Sequence, residues 1–151
     1  MNTIIAIDPG VSGGIALREI DGAISLHPMP ESLTGLVDFL RSAKVSQSAV
    51  YIEEVPKFTG RNIPSSTTAV LFRNVGHIEA AAVALGYSLH RVAPKVWQEH
   101  LGLGGKKSCA SSGEWKRKLK AKAEELYPML DVTLKTADAL LIMHWATGGG
   151  R

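Results

Sequence analysis

Cysteine is all but missing from this chain. Cys109 is the single one in 151 residues, so neither an internal disulfide nor a cysteine-rich zinc site can form, and the usage matches a reducing compartment. Long hydrophobic runs are missing too: nothing approaches the roughly 18 uncharged apolar residues of a membrane span. Residues 1–7 run straight into a strand-like pattern, without the basic head and apolar core of a signal peptide, and a cytoplasmic location is expected. There are no internal repeats and no low-complexity tract, and His77, His90, His100 and His144 show no spacing typical of metal ligands. What is present is an ordinary globular composition, 45% hydrophobic and 21% charged. The length suits one domain over residues 1–151, with 148–151 as a frayed tail, and leaves no room for two lobes.

The net charge of +3 hides an uneven distribution. Residues 91–122 hold nine basic side chains against Glu99 and Glu114, a local +7, while the remaining eight basic and twelve acidic residues sum to −4. A surface that attracts polyanions is expected over that segment.

Apolar runs bounded by turn residues predict strands at 3–8, 15–18, 23–27, 49–55 and 87–92, the second and third joined across Asp21-Gly22, a strong hairpin signal. Helical periodicity predicts helices at 33–43, 66–85, 114–126 and 136–146, with a short one after Pro94 ending at Leu101. Val70, Leu71, Val75, Ile78, Ala82 and Leu85 form the expected apolar stripe of the long second helix. Residues 102–113 form a loop rich in glycine, serine and lysine, with few core candidates, and are the expected mobile element. This order describes an α/β sandwich on a mixed sheet, because an initial meander is antiparallel and later strands cross over through helices.

Three acids stand in apolar company. Asp8 ends the first strand, Glu53 lies in A-V-Y-I-E-E-V, and Asp138 lies in A-D-A-L-L-I-M. Ionised carboxylates in such places are costly unless a cation or hydrogen-bond donors compensate them, and three from distant segments suggest convergence on a metal. Each also has a plain structural reading: Asp8 as a turn former before Pro9-Gly10, Glu53 as the exposed member of an alternating strand with Glu54 facing inward, Asp138 as a partner of a helix dipole. Glu53 and Glu54 point to opposite faces of their strand, so only one of them can join such a site.

The strings I-I-A-I-D-P-G-V-S-G-G-I-A, Y-I-E-E-V-P, V-A-P-K-V-W and A-D-A-L-L-I, in that order over residues 3–145, resemble the RuvC-type Holliday junction resolvases, particularly their compact bacteriophage versions. The resemblance implies a ribonuclease H-like α/β fold with a mixed five-stranded sheet flanked by helices. It also implies a homodimer that makes paired nicks in four-way DNA junctions or related branched DNA, inside a bacterial host cell if phage-encoded, with no membrane partner and no small-molecule cofactor. Asp8, Glu53 and Asp138 then match the family's catalytic acids and would hold two Mg2+ ions roughly 4 Å apart, with Mn2+ able to substitute; all-oxygen ligands suit such hard cations. Water would attack phosphorus and leave a 5′ phosphate and a 3′ hydroxyl.

One position departs from the pattern. Many such resolvases carry an acid or a histidine three residues before the helix acid, where this chain has Lys135. A ligand is then missing, or is supplied by water, Glu54 or Asp131; Lys135 itself is a candidate for the scissile phosphate or a solvated helix-entry lysine. Lys116, twelve residues before Pro128, looks like the lysine that phage relatives keep upstream of an L-[FY]-P segment, and is the best single candidate for contacting the cleavage site. Lys106, Lys107, Lys118 and Lys120 join Lys116 as expected phosphate contacts. Lys57, Arg61 and Arg73 extend the positive surface, and Phe58 is a candidate to stack on unpaired bases or to pack over the sheet edge. Trp97 and Trp145 read as core, and Trp115 as either core or DNA-facing.

Two other functions compete. D-P-G followed by G-G also suits the phosphate loop of actin-like and sugar-kinase ATPases, but those bind nucleotide between two such domains. A non-catalytic branched nucleic-acid-binding module of the same fold is the other alternative, with Lys135 in its favour and the three acids against it.

Overall fold

A computed structural model describes residues 2–55 and 64–149. Lys57, Phe58 and Arg61 lie outside the described residues, as do Gly150 and Arg151 of the expected frayed tail. The elements run β1 (Thr3–Ile7), β2 (Gly14–Arg18), β3 (Ile24–Pro28), α1 (Leu33–Ser42), β4 (Ser48–Glu53), α2 (Ser65–Ala84), β5 (Ser88–Val92), α3 (Pro94–His100), a 3-10 turn (Lys106–Ser108), α4 (Ser112–Leu126) and α5 (Ala137–His144). The sheet order is β3-β2-β1-β4-β5. β1, β2 and β3 pair antiparallel, and β1, β4 and β5 pair parallel, as a meander followed by helical crossovers requires.

Strand alternation splits the core in two. Ile5, Ile7, Ile15, Leu17, Val50 and Ile52 face α1 and α2, meeting Leu36, Leu40, Ile78 and Ala82. Ala6, Ala16 and Val92 face the other way, toward Trp97 of α3, Trp115 and Leu119 of α4, and α5. Ala137, Ala139, Leu140, Leu141, Ile142 and Met143 of α5 are all buried. Alanines at Ala6 and Ala16 beneath it, and at Ala137 and Ala139 within it, let the helix sit close to the sheet. Each fully buried Leu or Ile there contributes about 1.5–3 kcal/mol of apolar transfer before entropy is counted.

Two expectations change. Only Ile78 and Ala82 of α2 are buried, whereas Val70, in the expected stripe, is exposed together with Phe72 and Val83. A 20-residue helix is about 30 Å long, while strands of five or six residues reach only about 17–20 Å, so the first turns of α2 overhang the sheet. The segment at 102–113 is also better anchored than its composition suggests: Leu103 and Cys109 pack against the core, and α4 begins within it, capped by the Ser111 hydroxyl accepting from the Glu114 N–H.

Candidate metal centre and nucleic-acid interface

The sheet register decides which acids meet. β1 and β4 run parallel with Ile7 opposite Ile52, so Asp8 and Glu53 follow side by side at the carboxyl ends of the two strands. Ile7 and Ile52 face α1 and α2, so the next residues, Asp8 and Glu53, face the α5 side by alternation. Glu54 falls on the opposite side; it is exposed, its N–H is bonded to the Val92 carbonyl, and its charge acts on Arg91. Asp138, in the first turn of α5, completes the group from above the sheet.

Two glycines make this approach possible. A Cβ on Gly13 would stand 2.3 Å from the Asp8 carbonyl oxygen and 2.8 Å from Asp8 Cγ. A Cβ on Gly14 would stand 2.6 Å from the Lys135 carbonyl oxygen and 3.1 Å from Thr136 Cγ2. Gly13 therefore admits the Asp8 turn, and Gly14 admits the chain entering α5. The turn is held by the Gly13 N–H on the Gly10 carbonyl at 2.8 Å, the Gly10 N–H on Asp8 Oδ1 at 3.1 Å, and Asn74 Nδ2 of α2 on the Pro9 carbonyl at 2.6 Å.

Electrostatics ties the three acids together. Each keeps an edge accessible to solvent in otherwise apolar surroundings. Burial first, then the charges of Asp8 and Asp138, push the Glu53 carboxyl up to about 8, against the opposing Trp97 hydrogen bond and the Lys116 charge. Burial and the Asp8 charge push Asp138 up to about 6. Asp8 is raised as well, by burial, while the Gly10 N–H and Lys116 act against the rise. Lys116, exposed on α4, is thus the cation whose charge lowers all three. Among the described residues no group of three or more His, Cys, Asp or Glu side chains is arranged to hold a metal ion as it stands. The acids are near enough to repel one another without forming a finished ligand set. The donor chemistry nonetheless suits a hard divalent cation: three carboxylates, with no thiol or imidazole grouped with them among the described residues, and an excess of negative charge that a cation would relieve.

The other expected residues are dispersed. Lys135 is exposed and lies between two surface grooves, one shared with Lys120, Asp131 and Thr136 and one shared with Ser12, Arg73, Asn74 and His77. Asp131 is thereby on the surface of that first groove, and neither it nor Glu54 joins the three acids. Of the basic segment, Arg91 is bidentate on Glu79 at 2.7 and 2.8 Å, and Lys95 is 3.6 Å from Glu99. Lys118 donates to the Leu103 carbonyl at 2.7 Å, Lys120 pairs with Glu124, and Lys122 pairs with Glu125 at 2.7 Å. Among the described residues, Lys106, Lys107, Lys116 and Arg117 have no carboxylate partner. The segment's +7 therefore overstates the free positive charge, because Glu124 and Glu125 lie just past its end.

Sequence reasoning missed one residue. Trp97 is buried, as its spacing suggests, but its Nε1–H also donates to Glu53 Oε2 at 2.9 Å. The available signal was chemical: a buried indole N–H needs an acceptor. Trp115 is buried, which settles its open reading in favour of the core.

No protein-family model and no curated protein matches the chain. Solved structures do. A Thermus thermophilus RuvC structure superposes with a TM-score of 0.59 at 18% identity, covering 98% of this chain and 97% of that one. T. thermophilus RuvC in complex with a Holliday junction substrate superposes with a TM-score of 0.63 at 15% identity, covering 99% and 98%. At such identities the likeness speaks to architecture, and over essentially its whole length this chain has the RuvC-like, ribonuclease H-like fold.

Proposed function

We propose that this protein is a divalent-metal-dependent endonuclease that resolves four-way or related branched DNA. The observation that carries the reading is the gathering of Asp8, Glu53 and Asp138 on one sheet face, coupled to one another and to Lys116. The fold shared with a RuvC bound to a Holliday junction substrate supports the substrate class.

Asp8, Glu53 and Asp138 would hold the metal, Mg2+ with Mn2+ as a substitute. When bound, such ions supply an activated water and charge compensation for the leaving oxygen. Lys116, exposed beside the acids, would take the scissile phosphate; Arg117, Lys106 and Lys107, without a carboxylate partner among the described residues, would meet neighbouring phosphates. Arg73 and Lys135 add positive charge on the far side of the Asp8 turn. One chain carries one such site, so paired nicks in opposing strands require a homodimer whose two-fold axis matches that of the junction. The exposed Val70 and Phe72 on the overhanging part of α2 support apolar contact with a second copy.

Asp8→Asn tests the assignment. Cutting of a labelled four-way junction is expected to vanish while binding is kept or tightened, because a repulsive charge is removed from the phosphate site. Joint loss of binding and cutting would make Asp8 a structural residue, and junction binding without cutting by the wild type under Mg2+ would identify a non-catalytic module.

A further inference from the structure

We propose that Trp97 is a positioning residue for the metal-holding carboxylate of Glu53, fixing Oε2 through its indole N–H so that Oε1 is left for the cation. The proposal rests on the metal-dependent reading above and adds a residue to it. Trp97 is 0% exposed, and its Nε1 stands 2.9 Å from Glu53 Oε2. α3 begins at Pro94, immediately after β5, and β5 is the parallel neighbour of β4, with Val92 opposite Glu53. The tryptophan is therefore brought under the end of β4 by the shortest connection available.

The choice of donor has chemical content. Glu53 is flanked by the charges of Asp8 and Asp138, so left alone its side chain would turn away from them. A cationic donor would hold it by cancelling the charge that a metal needs. A neutral indole N–H orients one oxygen and adds no charge of its own to the site, as hydrogen-bonding partners behind metal ligands commonly do. Burial supplies the rigidity: the ring packs in the same core cluster as Trp115, Leu119 and Leu140 and cannot follow a drifting carboxylate.

The test compares Trp97→Phe with Trp115→Phe, the same chemical change in the same buried cluster at a tryptophan that, among the described residues, is not hydrogen-bonded to Glu53. Mn2+ affinity, measured on the whole protein by electron paramagnetic resonance of the free ion, is expected to weaken about tenfold or more in Trp97→Phe and to stay at the wild-type value in Trp115→Phe. Equal Mn2+ affinity in the two variants would overturn the positioning role alone. Wild-type protein that takes up no Mn2+ would overturn the metal-dependent reading and this one with it. Should Trp97→Phe fail to fold, the Trp97 indole N–H resonance decides the question, assigned by elimination with Trp115→Phe and Trp145→Phe. Glu53→Gln is expected to shift it upfield, and an unmoved resonance would contradict the proposal.

Discussion

Asp8, Glu53 and Asp138 are each harder to ionise in the folded chain than outside it, and this has a measurable cost. Glu53 moves from 4.5 to about 8 and Asp138 from 3.8 to about 6. Below about pH 3 both groups are largely protonated whether the chain is folded or not. As pH rises from 4.5 through 8 the unfolded chain gives up the Glu53 proton first, so folding loses stability across that window, by at most about 1.4 kcal/mol per pH unit for one proton. The melting temperature of the metal-free protein is therefore expected to fall between pH 5 and 8, and Mg2+ is expected to raise it more at pH 8 than at pH 5. Asp8→Asn removes one repulsion and should flatten the decline while abolishing cutting; a wild-type melting temperature independent of pH over this range would contradict the coupling. Gly13→Ala tests the backbone side of the same site, since its Cβ would meet the Asp8 carbonyl oxygen at 2.3 Å. Overpacking of this kind costs about 1–3 kcal/mol, read as a lower denaturation midpoint, and here it also displaces Asp8, so cutting should fall with it.

At the scale of elements, α4 shows how a charge count differs from a charge surface. Lys120 and Lys122 are held by Glu124 and Glu125, and Lys118 serves the loop at Leu103, whereas Lys116 faces the acids. Lys116→Ala is expected to lower the slope of log affinity against log salt for junction DNA by about one and to cut the cleavage rate. Lys120→Ala should leave the slope nearly unchanged. Equal slopes for the two variants would refute the distinction. Strands and helices were legible in the sequence because period and punctuation are local: the Asp21-Gly22 hairpin, the Pro94 helix start and the apolar 136–146 run all stand where expected within a few residues. The three acids were legible because a carboxylate in an apolar run is an anomaly that needs no partner to be noticed. Less legible were features set by tertiary geometry. The bond from Trp97 to Glu53 joins residues 44 apart, the exposure of Val70 follows from α2 being longer than the sheet is deep, and strand alternation alone left Glu53 and Glu54 open, with the resemblance pointing to Glu53 and the register of β1 against β4 setting it beside Asp8.

For the whole molecule, the two faces of the sheet have separate roles. The face toward α1 and α2 is a continuous aliphatic core. The face toward α3, α4 and α5 carries small residues at the centre and the acids at its rim, which places a polar site over a rigid floor without burying it fully. The architecture is shared with RuvC over nearly the full length, and the proposed function, resting on the acids at that rim, is what the direct measurement addresses. The direct measurement is incubation of the purified protein with a labelled synthetic four-way junction and with a linear duplex of the same arm sequences, each with and without Mg2+. Symmetric nicks in the junction alone, only when Mg2+ is present, are the predicted result; equal cutting of the duplex, or cutting that persists without a divalent ion, would contradict it.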